Sequence, residues 1–157
     1  MSVIVHDPYL SAERAQAMGA ELVTFEGLLS RADFISLHAP LTNETQHLFG
    51  AAAFAKMKKN ASIINTARGG LIDEAALLAA LDSEQIFGAG LDVVESETKV
   101  TPVRTALVQH PKMIVTAHTA WLSQQARALL QLRAIEQVLA CLKGEMPYGL
   151  INRDLAK

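Results

Sequence analysis

Cysteine is almost absent from this chain: Cys141 stands alone, so no internal disulfide can form and a reducing compartment is the simplest setting. Aromatic residues make up only 5% of the 157 positions, and neither sign of charge dominates. Fourteen Lys and Arg face sixteen Asp and Glu, a net charge of −2, which offers no electrostatic case for nucleic acid or an anionic membrane as partner. No apolar run reaches membrane-spanning length, and the N-terminus lacks the charged-then-apolar layout of a secretory signal, so the expected location is cytoplasmic. His6, His38, His47 and His110 show no metal spacing such as two on one helix face, and no metal site is expected. What is abundant is alanine and leucine. Half of the residues are hydrophobic and 19% charged, the profile of one folded α/β or α domain with a real core.

Short β-rich runs alternate with longer helical ones. Val3–His6 reads as a strand closed by Asp7-Pro8, and Ser11 as the cap of a helix to about Met18 that stops at Gly19. Strands are expected at Glu21–Phe25, Phe34–His38, Ala61–Asn65, Ile86–Leu91 and Met113–Val115. Helical segments are expected at Glu26–Ser30, at Ala51–Lys58 with Asn60 as a left-handed exit, and from an Asp73 cap through Leu81. The longest, Trp121–Lys143, repeats Ala126, Leu130, Ala134, Val138 and Leu142 every four residues and ends at Gly144. Alternation of this kind implies a parallel sheet wound by right-handed crossovers.

Three groups follow predicted strands and would gather on one sheet edge, where open α/β sheets bind ligands. Arg68 follows Ser62-Ile63-Ile64-Asn65-Thr66-Ala67, the acidic stretch from Asp92 to Glu97 follows the next strand, and His118 follows the last. The arginine offers a planar fork matched to a carboxylate or phosphate. The imidazole can exchange a proton near neutral pH, and a carboxylate can orient it. Each residue taken alone has a plainer reading. Arg68 fits a solvated loop or a surface ion pair, His118 a satisfied strand-end histidine, Glu97 a polar loop, and Asp7 an ordinary turn former. Cys141 fits a small buried side chain on the last helix.

Four ordered motifs narrow the choice. Asn65-Thr66-Ala67-Arg68-Gly69-Gly70-Leu71-Ile72-Asp73-Glu74-Ala75-Ala76-Leu77 resembles the signature of the D-isomer-specific 2-hydroxyacid dehydrogenases. His38-Ala39-Pro40-Leu41-Thr42, Gly88-Ala89-Gly90-Leu91-Asp92-Val93-Val94-Glu95-Ser96-Glu97 and Val115-Thr116-Ala117-His118-Thr119-Ala120-Trp121 resemble further segments of that family. Trp121 and the opening Val5-His6-Asp7-Pro8-Tyr9 look most like its C-terminal-binding-protein-like branch, and the chain is also similar to the phosphoglycerate dehydrogenases.

The resemblance implies an NAD-dependent enzyme that moves hydride between NADH and a small 2-oxo or 2-hydroxy acid. Arg68 would bind the substrate carboxylate, His118 would exchange the proton at the substrate oxygen, and Glu97 would pair with His118. Asp7 would hold the adenosine ribose. His38, Ala39, Pro40, Thr45, Thr66 and Ala67 would line the dinucleotide, and Asp92 would contact the nicotinamide amide. Residues 1–120 would form a partial NAD-binding domain, and 121–157 a helix and tail packing toward a substrate domain.

Departures from the family pattern are equally visible. Ala117 and Thr98 stand where proline is usual, and Lys59-Asn60 where proline–glycine is frequent. No Gly-x-Gly-x-x-Gly turn occurs, although in this fold that turn and its helix N-terminus cradle the pyrophosphate. The expected fold is therefore a Rossmann-like parallel sheet with flanking helices, lacking the first strand, the glycine-rich turn and its helix. Because that strand is central, its neighbours would present unpaired backbone edges, and self-association, such as a homodimer, is expected. The chain would be a weak or inactive enzyme alone. The alternatives are a non-catalytic nucleotide-binding or protein-interaction module, and a non-functional remnant of the family.

Overall fold

The computed structural model describes residues 1–152 and divides into two compact units, one of residues 1–118 and one beginning at Thr119. In the first unit the elements run β1 (Ile4–Val5), α1 (Ala12–Ala17), β2 (Glu21–Leu22), α2 (Phe25–Arg31), β3 (Phe34–Leu37), α3 (Ala51–Phe54), β4 (Ser62–Asn65), α4 (Glu74–Asp82), β5 (Gly88–Leu91), α5 (Pro102–Gln109) and β6 (Met113–Val115). The second unit contains α6 (Gln124–Leu142).

Every strand pairing is parallel. The strands form two sheets, β1-β2 and β3-β4-β5-β6, and among the described residues no strand joins them. Among the described residues β1 pairs only with β2 and β3 only with β4. The four-stranded sheet has aligned register: Ile35, Ile63, Ala89 and Met113 share a row, as do Leu37, Asn65, Leu91 and Val115. Those rows face the core, against Phe54 of α3, Leu77 and Leu81 of α4 and Leu107 of α5. The intervening rows face outward, leaving Phe34 71% and Ile114 72% exposed. A parallel sheet is ordinarily covered on both faces, so this open face is a departure for the fold.

Local chemistry sets the helix starts. Ser11 accepts from Arg14 N–H, Thr24 from Gly27 N–H, and Asp73 from Ala75 and Ala76 N–H. Gly19 and Gly144 take left-handed conformations where helix ends were expected.

Several expectations need correction. The strand expected at Glu21–Phe25 stops at Leu22, because Thr24 caps a helix that already contains Phe25. The helix expected to Lys58 ends at Phe54, and Asn60 is not left-handed; Glu84 after α4 is. Helix α5 was not anticipated, although Thr101-Pro102 is a start signal: Thr101 accepts from Arg104 N–H and Pro102 occupies the first turn. On α6 no residue is buried, so its four-residue apolar repeat is uncovered, and Cys141 is exposed instead of buried.

Candidate active site

Because the strands of the larger sheet are parallel, their carboxyl ends lie on one edge, and the loops leaving β4, β5 and β6 meet there. An open cleft of about 300 Å³ is lined by Leu41, Arg68, Gly69, Gly70, Val93, Val94, Glu95, Glu97 and His118. Arg68, Glu97 and His118 are therefore brought together from positions far apart in sequence.

The loop after β4 is shaped by Asn65, which is fully buried. Its Nδ2 donates to the Arg68 carbonyl at 2.9 Å, and its Oδ1 accepts from Ala67 N–H at 3.0 Å. This side chain closes the turn that presents Arg68. The guanidinium itself is exposed, and its Nη1 donates to the Ala67 carbonyl at 2.6 Å. Gly69 then passes against the loop after β5, where a Cβ would lie 2.0 Å from the Val94 carbonyl carbon. Only glycine allows that approach.

After β5, Asp92 sits beneath the cleft at 5% exposure. Thr116 Oγ1 donates to its carboxylate at 2.5 Å, and its carbonyl accepts from His118 N–H at 2.9 Å. Asp92 thus ties β5 to β6, and it does not line the cleft. His118 adopts φ +54°, a left-handed conformation uncommon outside glycine, though histidine tolerates it better than most residues. Its Nδ1 lies 2.6 Å from Glu97 Oε1, with the two side chains 45% and 53% exposed. The imidazole expected to exchange a proton and the carboxylate expected to pair with it are in contact.

The remaining candidates lie outside this cleft. Asp7, after β1, borders a second cleft of about 390 Å³ with His6, Leu22, Val23, Thr24 and Phe25. Its Oδ1 accepts from Tyr9 N–H at 2.8 Å, a turn-forming bond that leaves the carboxylate further acceptor capacity. After β3, His38 Nε2 lies 2.9 Å from Ser36 Oγ, while Ala39 packs on the core. Thr45 Oγ1 donates to the Pro40 carbonyl at 2.7 Å and accepts from Thr42 N–H at 2.8 Å, so Thr45 braces this loop from within. Thr66 is exposed at the tip of β4, with Ala67 partly buried beside it.

Sequence reading passed over Asn65, whose polar type at the end of an apolar strand was its available signal. It also passed over a second imidazole–carboxylate contact at the cleft rim, His47 Nε2 to Glu95 Oε1 at 2.7 Å, and the buried Glu74–Arg104 pair. Among the described residues no group of three or more His, Cys, Asp or Glu side chains is arranged to hold a metal ion.

The architecture and edge site define a Rossmann-like α/β domain of the dehydrogenase type. Residues 1–120 match the family model for the D-isomer specific 2-hydroxyacid dehydrogenase, NAD binding domain, and the chain belongs to that family. It is 43% identical over 155 residues to D-3-phosphoglycerate dehydrogenase 2, chloroplastic, of Arabidopsis thaliana, covering 99% of this chain and 24% of the relative. It is 35% identical over 157 residues to the glyoxylate reductase of Korarchaeum cryptofilum, covering 100% of this chain and 47% of that protein. Among solved structures, D-lactate dehydrogenase with NAD+ from Lactobacillus jensenii superposes with a TM-score of 0.86 at 30% identity, covering 96% of this chain and 48% of that one. The chain thus spans between about a quarter and a half of the length of these relatives. NAD is the cofactor of the matched domain.

The chemistry of the residues fits NAD only in part. Asp7 borders the second cleft as an acceptor suited to a ribose diol, and Arg68, Glu97 and His118 border the first. Between them the sequence has no glycine-rich turn to take the pyrophosphate.

Proposed function

We propose that this chain forms the acid–base side of an NAD-dependent D-2-hydroxyacid dehydrogenase, and that its isolated turnover is weak. The single observation supporting the reading is the His118–Glu97 contact at 2.6 Å on the wall of a cleft that also contains Arg68. Arg68 would take the substrate carboxylate with its planar fork and so fix the adjacent carbonyl carbon. His118, paired through Nδ1 to Glu97, would present Nε2 to the substrate oxygen and give up a proton there. Bound NADH supplies the hydride that the same carbon accepts. In reverse, His118 takes the hydroxyl proton back. Asp7 would accept hydrogen bonds from the adenosine ribose, with His38, Pro40 and Thr66, at the ends of β3 and β4, lining the dinucleotide.

The test is NADH-dependent reduction of glyoxylate and pyruvate by the purified chain, beside a His118→Asn control. Slow turnover that vanishes in the control supports the reading. Turnover equal in both proteins would remove His118 from it.

The open edges of β1 and β3 also favour self-association by pairing between copies. Light scattering should show dimers or larger species; a monodisperse monomer at high concentration would contradict this. The exposed thiol of Cys141 fits a reducing compartment, and we take the cytoplasm as the setting.

A further inference from the structure

Beneath the loop that supplies Glu97 lies an ion pair that the proposed reaction leaves unused. Arg104 and Glu74 have side chains only 12% and 9% exposed, with Arg104 Nη2 3.1 Å from Glu74 Oε1 and 3.3 Å from Oε2. Glu74 Oε1 also accepts from Glu95 N–H at 2.9 Å. The Nη1 of Arg104 donates to the carbonyls of Ser96 and Lys99. Those two residues are the ends of a turn closed by Lys99 N–H on the Ser96 carbonyl at 3.3 Å, and Glu97 is the second residue of that turn. One arginine and one glutamate therefore grip the backbone on both sides of Glu97.

Two arguments separate this from ordinary stabilisation. A half-exposed imidazole–carboxylate pair gains little from its own attraction, so its geometry depends on where the backbone places the carboxylate. A buried ion pair is a poor route to stability, since apolar residues of similar volume often do as well, and here Arg104 Nε is buried with no partner. Retaining a guanidinium under those conditions makes sense where its fork holds several acceptors in fixed relation.

We propose that Arg104 and Glu74 are positioning residues that hold Glu97 against Nδ1 of His118, an inference that rests on the acid–base reading of that pair. A carboxylate at Nδ1 selects the tautomer with its proton there and leaves Nε2 for exchange with substrate. When the turn at residues 96–99 loosens, the neutral ring loses its bias toward Nδ1–H.

The test reads the tautomer and needs no turnover. The chain is labelled with 15N-histidine, His118 is assigned through His118→Asn, and long-range 1H–15N spectra are recorded at about pH 9, above the ordinary imidazole range. The wild-type ring should be mainly Nδ1–H, and Glu97→Ala should move it toward Nε2–H. Arg104→Lys keeps a cation beside Glu74 but cannot span the carboxylate and both carbonyls. It should shift the tautomer in the same direction and speed amide exchange at residues 95–99 by about tenfold. The neutral double variant Glu74→Gln with Arg104→Met, which leaves no buried charge unpaired, should do the same. A wild-type tautomer in both folded variants, with Glu97→Ala still shifted, overturns the clamp alone. A wild-type tautomer in Glu97→Ala overturns the pair and the clamp together.

Discussion

Gly69 and Val94 touch backbone to backbone, so closely that a Cβ on Gly69 would sit 2.0 Å from the Val94 carbonyl carbon and 2.1 Å from its oxygen. This contact joins the Arg68 loop to the loop that leads to Glu97. Gly69→Ala must push the two apart, because the obstacle is main chain and has no rotamer to yield. We expect a loss of about 1–3 kcal/mol, as for an overpacked site, together with loss of any 2-oxo acid binding measured for the wild type. Thermal melting checks the first part. An unchanged melting temperature would show that the approach does not matter.

Asn65→Leu keeps the volume of a fully buried side chain while removing both bonds that close the Arg68 turn. It leaves the Ala67 N–H and the Arg68 carbonyl without that partner. The expected cost is about 1–3 kcal/mol in urea denaturation, with faster amide exchange at residues 66–68. A variant as stable as wild type would show that water replaces the side chain without loss.

At His118 the backbone and the imidazole can be tested separately, since φ is +54°. Asparagine tolerates that conformation and a β-branched residue does not. His118→Asn should keep its melting temperature and lose about 10²- to 10⁴-fold of any measured reduction of a 2-oxo acid. His118→Val should lose the same activity and also about 1–3 kcal/mol of stability. Equal stabilities for the two variants would contradict the strain.

Arg31 donates to both oxygens of Glu21, at 2.7 and 2.6 Å, and this hydrogen bonding holds the Glu21 carboxyl below its ordinary value. Arg31 is correspondingly raised by the same contact. With the folded carboxyl lowered, the contribution is present above the unfolded carboxylate range, about pH 4, and disappears as pH falls through the folded value. Melting curves of wild type and Glu21→Gln should therefore differ at neutral pH and converge in acid. A difference constant with pH would place its origin elsewhere.

Sequence reading found the strand–helix alternation because strand cores such as Phe34–Leu37 and Met113–Val115 are short apolar runs between clear stops. It placed Arg68, Glu97 and His118 on one edge because each follows a strand and parallel strands send such residues to one edge, and the three line one cleft. It stretched α3 to Lys58 because alanine, lysine and methionine favour helix at every position, and propensity carries no record of where tertiary packing turns the chain. It passed over Arg104 because no helix was expected there and a lone cation in a polar stretch carries no sign of burial. Only the packed structure shows that guanidinium buried against Glu74. Helix α6 was legible as a helix, but periodicity alone does not tell whether an apolar face is covered.

The division into β1-β2 and β3-β4-β5-β6 has a mechanical consequence. Arg68, Glu97 and His118 all follow strands of the four-stranded sheet, whose ladders are continuous from β3 to β6. The residue proposed for ribose, Asp7, hangs instead on a two-stranded ribbon with two residues in each strand. So short a pair should open at much lower free energy, which hydrogen exchange at Glu21 and Val23, whose N–H groups donate to the Val3 and Val5 carbonyls, against Ser62 and Asp92 would reveal. The proposed acid–base residues would then sit on the harder of the two sheets, and the residue proposed for ribose on the softer.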